Sequence, residues 1–276
     1  MNTFSASWEL VKASFRVLKA DKELMIFPII SSIGLVVVTL SFFVPSIFAG
    51  LFSENNWGIL SFVVAFLYYI VQYAVIFFFS TALVGAAMIR LKGGDPTVKD
   101  GFRIAFSRFG AIMGYAVIAA TVGMILKAIA KKGGLGKMIS SVLGFGWSVA
   151  TFLVVPVLAV EGLGPIEAIK RSVSHLRRSW GEQIVGNFGI GAVFALVFIL
   201  TILLYIPIMW LVVTYIQTTW VIILTGILMV LFLMIIGLVQ STLSGVYTAA
   251  VYQFATTGES SGFFDENLVR QAFRPE

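Results

Sequence analysis

The sequence contains no cysteine and a single histidine, His175. Disulfides, thiolate metal sites and cysteine nucleophiles are thereby excluded, and so is a multi-histidine metal site. Charge is scarce as well. Asp, Glu, Lys and Arg make up 12% of the chain, against about 25% in soluble domains. The scarcity is greatest across positions 183–258, which hold no Asp, Glu, Lys, Arg or His at all. A soluble domain would need charges over such a length, and one membrane span uses only about 20 residues. The run therefore holds two spans joined by a hairpin. It offers no obvious seat for an ion or a proton.

What remains is strongly apolar: 59% hydrophobic residues and a mean hydropathy of +1.00. Apolar runs of 25 or more residues become helices in lipid, because their backbone groups must be paired within the segment. Short alternating barrel strands do not fit. The fold class is an all-α polytopic membrane protein with six transmembrane helices in three hairpins, each preceded by a cytoplasmic amphipathic helix. The spans are predicted at about 24–51, 57–89, 109–130, 138–160, 184–213 and 220–254, with Pro207 ending or kinking the fifth. The whole chain, 1–276, reads as one integral membrane domain. Residues 1–23 form the first amphipathic helix and 24–257 the six-span bundle. In-plane helices lie at about 96–109 and 165–180, and 258–276 is a cytoplasmic tail. No cleavable signal peptide is expected, since the first apolar run begins at Leu24 and is too long for a signal core.

The net charge of +6 marks membrane orientation rather than nucleic-acid binding. With six spans, most Lys and Arg fall on the side holding both termini, leaving Lys127, Lys131, Lys132 and Lys137 on the other. The positive-inside rule places both termini in the cytoplasm. The turn 131–137 is either a solvated, snorkelling turn or a basic contact for outer-leaflet phosphate or an anionic partner.

Three amphipathic stripes are predicted: Trp8, Val11, Phe15 and Leu18; Val98, Phe102, Ala105 and Phe109; and Ile166, Ile169, Val173, Leu176 and Trp180. Asp95-Pro96 and Gly164-Pro165 read as helix starts, and Glu167 with Arg171 as an i,i+4 pair. These helices either lie in the membrane interface or pack beneath the bundle. Arg171, Arg177 and Arg178 are candidate lipid or partner contacts, as are Lys131, Lys132 and Lys137. The aromatic tail adds Phe263, Phe264 and Phe273, which are too apolar for a free tail and should fold back or dock.

No catalytic constellation is legible. His175 lies among basic residues and reads as solvated or interfacial. Lys127 and Glu161 approach spans only at their ends. Lys127 can snorkel, and Glu161 either begins a turn or pairs, buried, with a loop arginine. Gln72, Asn187 and Gln240 are the candidate intramembrane polar residues, either bonding between helices or lining a pocket. No cofactor or metal is expected, and no enzymatic activity.

Two segments carry a resemblance. Trp8-Glu9-Leu10-Val11-Lys12-Ala13-Ser14 with Asp21-Lys22-Glu23-Leu24 and Phe27-Pro28, and Ala255-Thr256-Thr257-Gly258-Glu259 through Ala272-Phe273-Arg274, resemble the two ends of an uncharacterised six-span prokaryotic membrane-protein family. More distantly, Glu161-Gly162-Leu163-Gly164-Pro165 with Glu167-Ala168 and Arg171-Ser172 is similar to the membrane domain of glycerophosphodiester phosphodiesterases. The phosphodiesterase domain is missing from this sequence, so the resemblance implies architecture and not activity. The expected role is an envelope or assembly factor, or an accessory subunit of a larger membrane complex. The alternative is a transporter or flippase for a lipid or apolar solute. Expected partners are anionic membrane lipids and a homo-oligomer or larger complex, with no nucleic acid.

Overall fold

A computed structural model of the protein describes residues 3–49, 58–179, 189–258 and 262–264. Among these residues the chain is helical, without strands. In order, the helices are α1 (Thr3–Ala20), α2 (Ile26–Phe48), α3 (Ile59–Leu91), α4 (Val98–Ser107), α5 (Phe109–Ala130), α6 (Gly134–Ala150), α7 (Val154–Val160), α8 (Pro165–Ser179), α9 (Gly189–Leu211) and α10 (Thr219–Thr257). A 3-10 turn, Lys22–Met25, leads into α2, and a π turn, Val212–Ile216, follows α9.

Six segments are long and apolar enough to cross a membrane: Lys22–Phe48, Ile59–Leu91, Phe109–Ala130, Gly134–Val160, Val193–Ile216 and Thr219–Thr257. They follow the predicted spans closely. The fourth is not continuous, because α6 and α7 are separated at residues 151–153. Pro156 supplies the cause: it has no N–H to offer residue 152, and its ring crowds that carbonyl. Pro207, by contrast, does not end the fifth span. The helix runs on to Leu211, as bundles in lipid allow for proline.

The core lies toward one end of the bundle. Fully buried side chains include Leu24 and Phe27 at the start of α2, Val84 late in α3, Val154 and Leu158 in α7, and Leu243 and Val246 late in α10. Gly245 lets α10 approach α3, since a methyl there would come within 2.5 Å of Leu83 Cδ2. The other ends of the same helices expose large apolar side chains: Val36 to Phe48 on α2, Ile59 to Leu67 on α3, and Leu196 to Ile235 along α9 and α10. At 39 residues α10 is about 58 Å long, well beyond a hydrocarbon core of about 30 Å. Its last stretch belongs to the packed base, where α1 lies against both α9 and α10.

The inward faces of the short helices correct the predicted stripes. On α1, Val11 and Leu18 of the predicted stripe are buried, together with Leu10, Ala13, Ser14 and Val17, while Trp8 and Phe15 are exposed. On α8, Leu176 of the predicted stripe is buried and Ile169 packs on the core, joined by Ala168, Ser172 and His175, while Ile166 is 60% exposed and Trp180 lies outside the described residues. Both helices are turned by about one residue, roughly 100°, from the predicted setting. Small side chains face the bundle because they let helices approach closely. Helix α4 is nearer expectation: Ala105 is buried and Phe102 packs on the core, although Phe109 is exposed. Thr97, not Asp95-Pro96, caps its start, in a reciprocal capping box with Asp100.

Candidate functional site

The polar chemistry gathers at the buried end, around two carboxylates. Glu161 caps the C-terminus of α7, and Gly162, with φ +67°, turns the chain toward α8. The carboxylate accepts from Arg171 Nε at 2.8 Å and from the Tyr252 hydroxyl at 3.0 Å, and it meets His175 Nε2 at 2.9 Å. Three elements, α7, α8 and α10, are thus joined at one side chain. The His175 ring also stands edge-on to Tyr252, with centroids 5.7 Å apart. Ser172, on the same face of α8, accepts from the Leu153 N–H at 3.1 Å and so satisfies a donor released by the break in the fourth span.

Burial pushes the Glu161 carboxyl up, but hydrogen bonds from His175, Tyr252 and Arg171 outweigh it and hold the group below its ordinary value. The predicted pairing of Glu167 with Arg171 is replaced by this one, because Glu161 is the less exposed partner and gains more from a counter-charge. His175, read from sequence as solvated or interfacial, is 7% exposed, so it is not solvated. A buried carboxylate within reach draws it inward.

The second carboxylate is Asp21, which accepts from the Glu23 N–H at 3.2 Å and caps the turn into α2. Arg90, near the end of α3, reaches Asp21 Oδ2 at 3.4 Å and also pairs with Asp95. Here burial dominates, and the Asp21 carboxyl stays above its ordinary value despite Arg90. Glu23 extends the link by accepting from the Val98 N–H at 3.0 Å, at the positive end of α4. Arg16 of α1 donates to the Phe263 carbonyl at 2.9 Å, and Phe264 is buried in the core. The start of the tail folds back, as its composition suggested.

The remaining candidates lie apart from these hubs. Gln72 donates to Thr39 Oγ1 and to the Tyr68 hydroxyl, both at 2.8 Å, bonding α3 to α2. It also lines an open groove of about 300 Å³ with Leu35, Val36, Thr39 and Leu40. A second groove, about 240 Å³, lies between α2 and α10 and is lined by Ser32, Met234, Gly237, Leu238 and Ser241. Gln240 is half-buried and lines neither groove. Lys131, Lys132 and Lys137 are exposed around the turn between α5 and α6. Lys127 pairs with the Tyr69 hydroxyl and lies 4.4 Å from its ring centroid. The side chains of Arg177 and Arg178, and all of Asn187 and Phe273, lie outside the described residues. Among the described residues no group of three or more His, Cys, Asp or Glu side chains could hold a metal ion.

The hubs were only partly legible in sequence. The pairing of Glu161 with a loop arginine was one of two readings, but Tyr252 lies in the charge-free run and gave no signal. Comparison with known proteins returned no match among curated proteins and none among solved structures. These searches add no support for the more distant phosphodiesterase resemblance. A family model does match, over residues 59–263, most of the chain. The match begins after the N-terminal motif and includes both sides of the Glu161 hub. The chain belongs to the family of unknown function DUF6159.

Proposed function

We propose that this protein is a non-catalytic membrane scaffold, an envelope or assembly factor or an accessory subunit of a larger membrane complex. In this reading both termini, α1, α4 and α8 lie at the cytoplasmic face of a prokaryotic plasma membrane, where Lys and Arg are concentrated. The three hairpins α2–α3, α5–α7 and α9–α10 rise from that layer.

One observation carries the reading. The carboxylate hubs tie the base together, while the distal α9–α10 hairpin exposes large apolar side chains from Leu196 to Ile235, interrupted at its tip by Thr214 and residues 217–219. Such a surface serves contact with lipid or with other helices. In vivo photo-crosslinking from Leu200 or Phe232 tests it. A discrete protein adduct is expected, and adducts to lipid alone would count against the assembly role.

The groove at Gln72 favours a second reading, a flippase or transporter for lipid or another apolar solute. A groove open along its side could take an acyl chain without a buried charge. That reading requires the purified protein to speed exchange of a fluorescent phospholipid between vesicle leaflets. Exchange no faster than in protein-free vesicles would remove it.

A further inference from the structure

Arg108 stands at the elbow where α4 passes into α5. Its neighbours at this end of the bundle, Arg90, Arg103 and Arg171, are each matched to a carboxylate. Among the described residues Arg108 is not: its Nε is shut off from solvent and has no hydrogen-bond partner there. A guanidinium that is partly desolvated and unpaired is costly, and the cost is recovered by an anion that accepts from its planar fork.

The position is a built one. The guanidinium lies against the backbone of Gly162, where a methyl group would come within 2.2 Å of Nη1 and 2.4 Å of Cζ. Glycine therefore answers two demands there, the positive φ and the space for the arginine. Phe109 opens one span and Val160 closes the next. Arg108 and Gly162 adjoin those two span ends, which is headgroup depth. Phe106 and Phe109, on either side of the elbow, are 66% and 51% exposed, and both rings gather on Phe78. The elbow thus exposes apolar rings as well as carrying a cation, and a lipid would engage both kinds of surface where a soluble phosphate would use only the cation.

We propose that Arg108, accommodated by Gly162 and flanked by Phe106 and Phe109, binds the phosphate of an anionic phospholipid. This site goes beyond the scaffold reading and does not depend on it. The test is native mass spectrometry of the delipidated full chain after adding phosphatidylglycerol or phosphatidylcholine. The unaltered chain should retain phosphatidylglycerol about tenfold better, and Arg108→Gln should bring the two lipids to parity. Phe106→Ala leaves the guanidinium in place and should weaken phosphatidylglycerol retention several-fold. Equal retention of both lipids by the unaltered chain would overturn the proposal, as would unchanged preference in Arg108→Gln. Competition by soluble glycerol phosphate at the lipid's own concentration would also overturn it, because the site would then serve a free phosphate.

Discussion

Tyr252 and Glu161 lie 91 positions apart and meet in a hydrogen bond of 3.0 Å, hydroxyl to carboxylate. The contact closes the last span onto the end of the fourth. Its removal should therefore loosen two parts of the chain together. Tyr252→Phe deletes only the hydroxyl and should cost about 1 kcal/mol. Glu161→Gln removes the charge that Arg171 and His175 both use and should cost about 1–3 kcal/mol. Thermal unfolding in a single detergent measures both. A double variant with His175→Ala should fall short of the sum of the single effects, because the partners share one carboxylate.

Acid should act on the two hubs with opposite sign. The Glu161 carboxyl is held below its ordinary value of 4.5, so its contribution is present above that pH and lost as pH falls through the lowered value. The Asp21 carboxyl is held above its ordinary value of 3.8, so the folded state takes up its proton first and gains stability as pH falls. Asp21→Asn should make the loss of stability in acid steeper, and Glu161→Gln should make it shallower. Melting temperatures measured from pH 7 down to about pH 2 give the two slopes.

Gly162 and Gly133 should resist replacement for different reasons. Both have positive φ, +67° and +96°, but a methyl at 133 meets open space and one at 162 meets the Arg108 guanidinium. Gly133→Ala should cost about 1–3 kcal/mol, the strain of a backbone at φ +96° and ψ −160° alone. Gly162→Ala adds to its backbone strain only the displacement of the Arg108 guanidinium, the far end of a flexible side chain, and an Arg108→Ala background should recover that part. Unfolding of the two single variants and the double variant decides this.

The inward faces of α1 and α8 yield a packing prediction. Ala13 and Ala168 are fully buried, so replacing either by Leu should destabilise by about 1–3 kcal/mol. Ile166→Ala, at an exposed position, should change stability by less than about 0.5 kcal/mol. The predicted stripes would have given the reverse order at α8.

That reversal shows where sequence reading fails in such a chain. The spans were legible because lipid imposes a length and a composition, and 109–130 coincided with the observed helix. The facing of the short helices was legible only in part: Val11, Leu18, Ala105 and Leu176 are buried as the stripes predict, but the centre of the buried face lies elsewhere on α1 and α8. Apolar periodicity marks a buried face only when the other face meets water. Beside a bilayer the outward face is apolar too, so Trp8, Phe15 and Ile166 point away from the core while Ala13, Ser14, Ala168 and Ser172 face it. The carboxylate hubs were hidden for another reason. Asp21 with Arg90, and Glu161 with Tyr252, join residues far apart in the chain, and no local pattern announces them.

The most direct test of the scaffold role is extraction of the full-length protein from its native membrane in polymer-bounded lipid discs, followed by measurement of mass and composition. A defined assembly larger than the monomer, holding a stoichiometric protein partner or a second copy, is the expected result. A bare monomer carrying only the bulk lipid mixture would contradict it.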